Sequence, residues 1–322
     1  MNTSNGLYLE KRFLLMTLDP VHIGTGGQHL GRVDLSIARE PGTRLPKIPG
    51  TSLSGAVRQY AACRYGSRPC AGAGQGEGDK GHCRDPQCPI CYTFGYLRGQ
   101  DGGQSGTVSI GDARLLLFPV YSLAGPVWVT CPSILRDLGV TGIADPGERV
   151  QLPDALAKHE HLNLGWLMLE KAENAFVLPD TIEGVPDEIK HRAVLISDSL
   201  FSRVVNSNLE VRTSVSIDPV TGAAKDGALF TYEAIPRAAL LWLDVVEDDF
   251  RHDPKQPARF PAWPITQTKL GNAFPDNEEW GSPLDVVRAG LRLAEHLGIG
   301  GMGTRGFGRV RLLGTTDEEV SS

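Results

Sequence analysis

Residues 282–313 read SPLDVVRAGLRLAEHLGIGGMGTRGFGRVRLL and give, in order, a helix, a glycine loop and a strand. Ser282 caps the helix, Pro283 fits its first turn, and Asp285 faces its positive end. Leu284, Val287, Leu291 and Ala294 recur on one face, and Gly298 closes the helix. The glycines that follow interrupt regular structure until an apolar run resumes near Val310.

Outward from this stretch, helices and strands do not alternate regularly. Residues 7–18, LYLEKRFLLMTL, predict a strand, and HIGTGGQHLG after it a loop. Residues 31–38 read as irregular or weakly extended, and Pro46 and Pro49 bracket a short extended segment. A helix over 52–63 follows, capped by Thr51 or Ser52, with Leu53, Val57, Tyr60 and Ala61 as its apolar stripe. Residues 107–118 and 237–247 predict strands. Residues 211–232 form two extended arms around the turn Asp218-Pro219-Val220-Thr221-Gly222. The arms carry few large apolar side chains, so this hairpin projects. Stretches 133–165 and 172–208 carry no decisive pattern. No repeat appears at solenoid periods, and the fold class is α+β. The division is a single domain over 1–322, with an inserted module at 66–106 and the hairpin at 209–233.

The chain has 322 residues, 41% of them apolar and 22% charged, enough to bury a core and too apolar for disorder. No apolar run approaches the ~20 residues of a membrane span. The start, MNTSNGLYLEKRFLLMTL, shows neither a basic leader nor a small-residue cleavage site. The expectation is a cytoplasmic protein with no membrane partner, whose six cysteines serve as metal ligands or free thiols rather than disulfides. The net charge of −6 argues against a nucleic-acid partner, but its distribution does not. From Leu30 to Cys70 seven basic residues (Arg32, Arg39, Arg44, Lys47, Arg58, Arg64, Arg68) face only Asp34 and Glu40. Screening confines each field to about 8–10 Å, so a basic face on an acidic protein can still bind phosphate.

Cys70, Cys83, Cys88 and Cys91 form C-x12-C-x4-C-x2-C between the glycine-rich tracts AGAGQGEGDKG and RGQDGGQSG. Such tracts cannot pack by themselves. Four thiolates suit tetrahedral Zn²⁺, which folds a short insertion lacking its own core. His82 is an alternative fourth ligand, and a redox CxxC is the competing chemistry. A closed site of this kind is structural. Cys63 and Cys131 stand apart as packing residues.

The loops HIGTGG and GIGGMGTRGFG both expose backbone N–H groups suited to phosphate oxygens. Neither is followed by GKS or GKT, so nucleotide hydrolysis has no support. The predicted helix after IPGTS offers further free N–H groups. Arg58 on that helix and Arg305 in the second loop add charge. Each feature alone reads as a tight turn; together they suggest an RNA backbone track.

IPGTSLSGAVR, CPICYTFG, LLLFPVYSLAGPVWVTCP, DGALFTYEAIP and GIGGMGTRGFGRV together resemble the RAMP superfamily, from about residue 13 to 312. Within it they are most similar to the multi-copy backbone subunits of Cmr-type (type III-B) CRISPR effector complexes. The resemblance implies a ferredoxin-like, RRM-related palm carrying guide CRISPR RNA. It implies a thumb wedged into the guide–target duplex, copies stacked in a filament, and other type III effector subunits as partners. It implies endoribonuclease cleavage of target RNA, a 2′,3′-cyclic phosphate product, and a divalent metal such as Mg²⁺. The family's catalytic aspartate falls on Asp34 in GRVDLSIARE. The implied RNA contacts are His22, Gly24, Arg39, Ser52, Ser54, Arg58, Gly301, Thr304 and Arg305. Ser54 departs from the lysine many relatives carry.

Three other readings compete. A catalytically silent guide-binding subunit would not need Asp34. A guide-processing endoribonuclease would use a histidine base, for which His22 and His29 are the candidates. A zinc-stabilised protein-interaction module explains the cysteines and leaves the glycine loops idle.

Overall fold

The computed structural model describes residues 8–26, 33–72, 82–83, 85, 87–97, 103–250 and 280–318. His29, Arg32 and much of both glycine-rich tracts lie outside the described residues. The first half runs β1 (Leu9–Thr17), β2 (Lys47–Ile48), α1 (Gly50–Tyr65), α2 (Pro89–Phe94), β3 (Gly95–Leu97), β4 (Gly103–Ser105), β5 (Val108–Ile110), β6 (Ala113–Val120), β7 (Val127–Thr130) and α3 (Pro132–Asp137). The second half runs β8 (His161–Leu164), β9 (Leu167–Glu170), α4 (Asp187–Lys190), β10 (Ala193–Leu195), α5 (Asp198–Ser207), β11 (Glu210–Ile217), β12 (Ala224–Ala234), β13 (Leu240–Glu247), α6 (Pro283–Leu297) and β14 (Val310–Glu318).

The main sheet has the order β10-β7-β6-β13-β1-β14, with β2 pairing β6 and β5 pairing β13. β1 is antiparallel to both β13 and β14. Phe13, Leu14 and Leu15, successive residues that point to alternate faces, are all buried, so both faces of the strand are covered. Leu53 and Val57 of α1 and Leu284, Val287, Leu291 and Ala294 of α6 join the same core. The two helices approach so closely that a Cβ on Gly290 would lie 2.4 Å from the Val57 carbonyl oxygen. Only glycine fits there.

α6 begins as the sequence reads: Ser282 and Asp285 form a capping box. α1 does not. It starts at Gly50, two residues before the expected start, with Pro49 at the cap in an extended conformation and no side-chain cap of its own. Thr51 and Ser52 lie inside the first turn. The cap is supplied by Asp112, whose Oδ1 accepts from the Gly50 N–H at 2.7 Å. That carboxylate is also why the predicted strand over 107–118 is two strands: the chain breaks at Gly111–Asp112 between β5 and β6. Lys47 Nζ closes on the other Asp112 oxygen at 2.5 Å.

β11 and β12 form their own two-stranded sheet. The side chains of β11 are exposed or half-exposed along its length. The predicted turn is present: Gly222 N–H donates to the Asp218 carbonyl at 2.8 Å, and Val220 N–H donates to Asp218 Oδ1 at 2.7 Å. The arms carry more exposed apolar surface than expected, including Val211, Val215, Ile217 and Leu229. Cys131 is buried as a packing residue, but Cys63 is exposed on α1. Helical periodicity turns position 63 away from the face that carries Leu53 and Val57. Among the described residues no helix is long and apolar enough to cross a membrane.

Candidate RNA site and metal centre

The sulfurs of Cys70, Cys83, Cys88 and Cys91 all lie within 4.8 Å of one another. Metal–sulfur bonds of about 2.3 Å in a tetrahedron require sulfur edges of about 3.8 Å, so the set fits Zn²⁺. Cys70 sits in a short 3-10 turn, Arg68–Ala71, and Cys88 and Cys91 open α2. His82 stands against Tyr96 instead, with ring centroids 4.1 Å apart. Hydrogen bonds from Cys88 and Cys91 hold the Cys70 thiol well below its ordinary value. The same bonds push Cys91 up, and Cys88 is pushed up to about 12. Four sulfurs this close therefore cannot all ionise unless a cation neutralises them. The cysteine elements share a core with the helices, in which Cys70, Cys88, Ile90 and Cys91 pack with Tyr65, Trp280, Val286 and Ala289.

A second group of residues gathers where β12 leaves the hairpin. Asp34 is exposed, and its Oδ2 accepts from Thr231 N–H at 2.7 Å and from Thr231 Oγ1 at 2.9 Å. These bonds, the backbone one first, hold the Asp34 carboxyl below the usual carboxylate range. Leu35 forms a parallel bridge with Tyr232. His22 is buried, its Nδ1–H donates to the Glu233 carbonyl at 2.6 Å, and its own carbonyl accepts from Gly301 N–H at 2.9 Å. The two glycine loops thus meet through His22. Gly300 must be glycine here, because a Cβ would lie 2.6 Å from the His22 carbonyl oxygen. Gly24 bridges Ile37, which joins the first loop to the segment carrying Asp34.

Aromatic rings floor this region. Tyr232 lies 5.4 Å from Phe307 and 5.8 Å from Phe230, centroid to centroid. Arg305 stacks over Phe230 at 5.4 Å and Arg212 over Phe307 at 4.7 Å. Gly301, Thr304 and Arg305 are exposed beside them. Phe230, Tyr232 and Arg212 were not among the residues singled out from sequence. The alternation of aromatic side chains in LFTY, within a predicted extended arm, was the signal available.

The remaining candidates are tied into the fold or lie on α1. Arg39 is committed within the fold: Nη2 to Glu233 Oε2 at 2.8 Å, Nε to Asn206 Oδ1 at 2.9 Å, and Nη1 to the Ile37 carbonyl at 3.0 Å. Arg58 Nε donates to the Cys70 carbonyl at 2.8 Å and so ties α1 to the cysteine module. Ser52 and Ser54 are half-buried on α1. The free N–H groups expected at that helix start are largely taken, by Asp112 at Gly50 and by the Pro49 carbonyl at Ser52 and Leu53. A carboxylate occupies the place a phosphate would need.

Comparison with known proteins agrees with the resemblance. Residues 14–311 match the RAMP superfamily. The CRISPR system Cmr endoribonuclease Cmr4 of Pyrococcus furiosus is 28% identical over 249 residues, spanning 71% of this chain and 78% of that protein. Among solved structures, a chain of the type III-B Cmr-beta complex bound to cognate target RNA superposes with a TM-score of 0.61 at 15% identity, covering 96% of this chain and 98% of that one. Oligomeric Cmr4 from Pyrococcus furiosus gives 0.58 at 21% identity, covering 97% and 99%. The match over nearly the whole described chain, with the same overall fold, shows that this protein belongs to the RAMP superfamily.

Proposed function

We propose that this chain is a backbone subunit of a type III-B CRISPR ribonucleoprotein. Copies of it line guide RNA in a filament and cleave complementary target RNA at regular intervals, with Asp34 as the catalytic residue. The reading is supported by family membership and by the relative named as an endoribonuclease. The path β1–α1–β6–β13–α6–β14, with the order β6-β13-β1-β14, supports a ferredoxin-like, RRM-related palm. The β11–β12 hairpin is its thumb. The complex acts in the cytoplasm, with other effector subunits as partners.

The observation that carries the assignment is Asp34 itself: an exposed carboxylate, kept anionic, at the foot of the hairpin and beside the glycine loops. RNA supplies its own nucleophile. The 2′-oxygen attacks the adjacent phosphorus, the 5′-oxygen leaves, and a 2′,3′-cyclic phosphate remains. The protein must hold these atoms in line and stabilise charge. A carboxylate with a depressed pKa is a weak general base, so orienting the 2′-hydroxyl suits Asp34 better than abstracting its proton. A divalent cation, when bound, supplies charge neutralisation at the phosphate, and such ions are held by one or two carboxylates plus phosphate and water. Hairpin insertion between base steps would supply the in-line geometry. Arg305, Thr304 and the backbone of Gly24 are the RNA contacts this geometry favours, while the Gly301 N–H is taken by the His22 carbonyl. His22 is a poorer base for guide processing, because its ring is buried and its Nδ1–H is committed to Glu233.

The test is Asp34→Ala in the assembled ribonucleoprotein. Guide and target binding stay unchanged while cleavage of labelled target is lost. Cleavage at the parent rate would overturn the assignment.

A further inference from the structure

Asp34 is held by groups far away in sequence. Thr231, 197 residues on, donates twice to Asp34 Oδ2, at 2.7 Å from its N–H and at 2.9 Å from its hydroxyl. The hydroxyl in turn accepts from Asp34 N–H at 3.1 Å. Leu35 N–H donates to the Thr231 carbonyl at 3.1 Å, so the pairing continues along the backbone. We infer that Thr231 is the positioning residue of the site, fixing one carboxylate oxygen of Asp34 so that the other is presented to the target strand. The inference rests on the reading of Asp34 given above.

The chemistry favours threonine here. A hydroxyl has one proton and two lone pairs, so it can donate to the carboxylate and accept from Asp34 N–H at once. Both roles are used. An exposed aspartate on an irregular segment would otherwise sample several rotamers, and misplacing a reacting group by about 1 Å can cost on the order of a hundredfold in rate. Thr231 also sits in β12, between Phe230 and Tyr232, which pack at the hairpin foot. The carboxylate is therefore registered to the element proposed to meet the duplex, not only to its own loop.

The experiment compares Thr231→Val, Thr231→Ser and Asp34→Ala in assembled complex, with single-turnover cleavage and target affinity measured separately and rates taken per assembled particle. Valine keeps the β-branched shape and the backbone N–H but loses the hydroxyl. The expected result is unchanged target affinity with cleavage lowered about ten- to a hundredfold, the range for a hydrogen bond to a charged group. Thr231→Ser restores the rate, which a purely structural role of the methyl group would not allow. If Thr231→Val cuts as the parent does while Asp34→Ala is dead, the positioning role falls and the catalytic assignment stands. If Thr231→Ser falls as far as Thr231→Val, the hydroxyl is not the operative group and the inference is overturned. If Asp34→Ala itself cuts normally, both fall. Should Thr231→Val assemble poorly, Thr231→Ala tests the same hydroxyl with the same outcomes.

Discussion

Arg39 separates two roles that a basic residue in this chain can have. The family resemblance implies it as an RNA contact; in the structure all three nitrogens of its guanidinium serve the fold. Its partner Glu233 is equally enclosed, both side chains being 13% exposed. Arg39→Ala would leave the Glu233 carboxylate without its cation, in a setting where removing one partner of a mostly buried pair costs about 3 kcal/mol at the lower end. For a chain of this size that lowers Tm by about 4 °C. Losing a phosphate contact instead would lower the slope of log affinity against log salt by about 1 and leave Tm alone. Thermal unfolding of the purified subunit and a salt titration of guide RNA binding are therefore read together. The expected result is a lower Tm with an unchanged salt slope. Arg39→Lys rescues little, because an ammonium cannot span three acceptors in the geometry of a planar fork. An unchanged Tm with a shallower salt slope would refute the reasoning and return Arg39 to the RNA.

Three further outcomes follow from the same geometry. Arg305→Ala, which removes an exposed cation stacked on Phe230, weakens guide binding for all sequences alike and lowers the salt slope by about 1; an unchanged titration counts against the RNA track. Cys88→Ser lowers zinc per chain from one and impairs solubility or assembly rather than cleavage alone; full zinc occupancy by metal analysis would show that the ligand set is wrong. Gly290→Ala drives a methyl into the Val57 carbonyl across the α1–α6 contact and destabilises the subunit by about 1–3 kcal/mol in denaturant titration, whereas an unchanged midpoint would show that the helices can part at no cost.

What could be read from sequence was what local chemistry decides. α6 announces itself through Ser282, Asp285 and an apolar stripe, and the hairpin turn through Asp218 and Gly222. The cysteine set was legible because its members are close in sequence. The cap of α1 was not, because Asp112 lies 62 residues from Gly50 and no local rule joins them. Nor was the engagement of Arg39, whose partner Glu233 lies 194 residues on. The middle of the chain carries short-range signals of its own. HLNLGWLMLE alternates around a glycine turn and forms β8–β9, with Leu162, Leu164 and Leu169 buried and Gly165 at positive φ. Phe201, Val204 and Val205 recur at helical spacing and bury one face of α5.

The hairpin foot and the hairpin arms are built for different tasks. From Thr231 to Ile235, the end of β12 and the residue after it are bound on two sides: Thr231–Ala234 to β11 along the ladder, and the segment to Asp34, Leu35, His22 and Val21 opposite. The Arg39–Glu233 pair fastens the same five residues. A strand segment held on both edges cannot bend without breaking several bonds at once, so any adjustment to a partner must occur beyond Phe230. There the chemistry changes, since Val215, Ile217, Val220 and Leu229 are exposed on a ribbon that pairs with no further strand among the described residues. An apolar ribbon of that kind is an aggregation hazard unless a partner covers it. Stacked bases can do so, because a few kcal/mol of unstacking is offset by apolar contact with the inserted arm. On the proposed function the division is useful: the arm adapts to the duplex while Asp34 keeps its register with the foot. A thumb hinged at its base would carry Thr231 away from Asp34 each time it moved, and regular cutting along a filament would be lost.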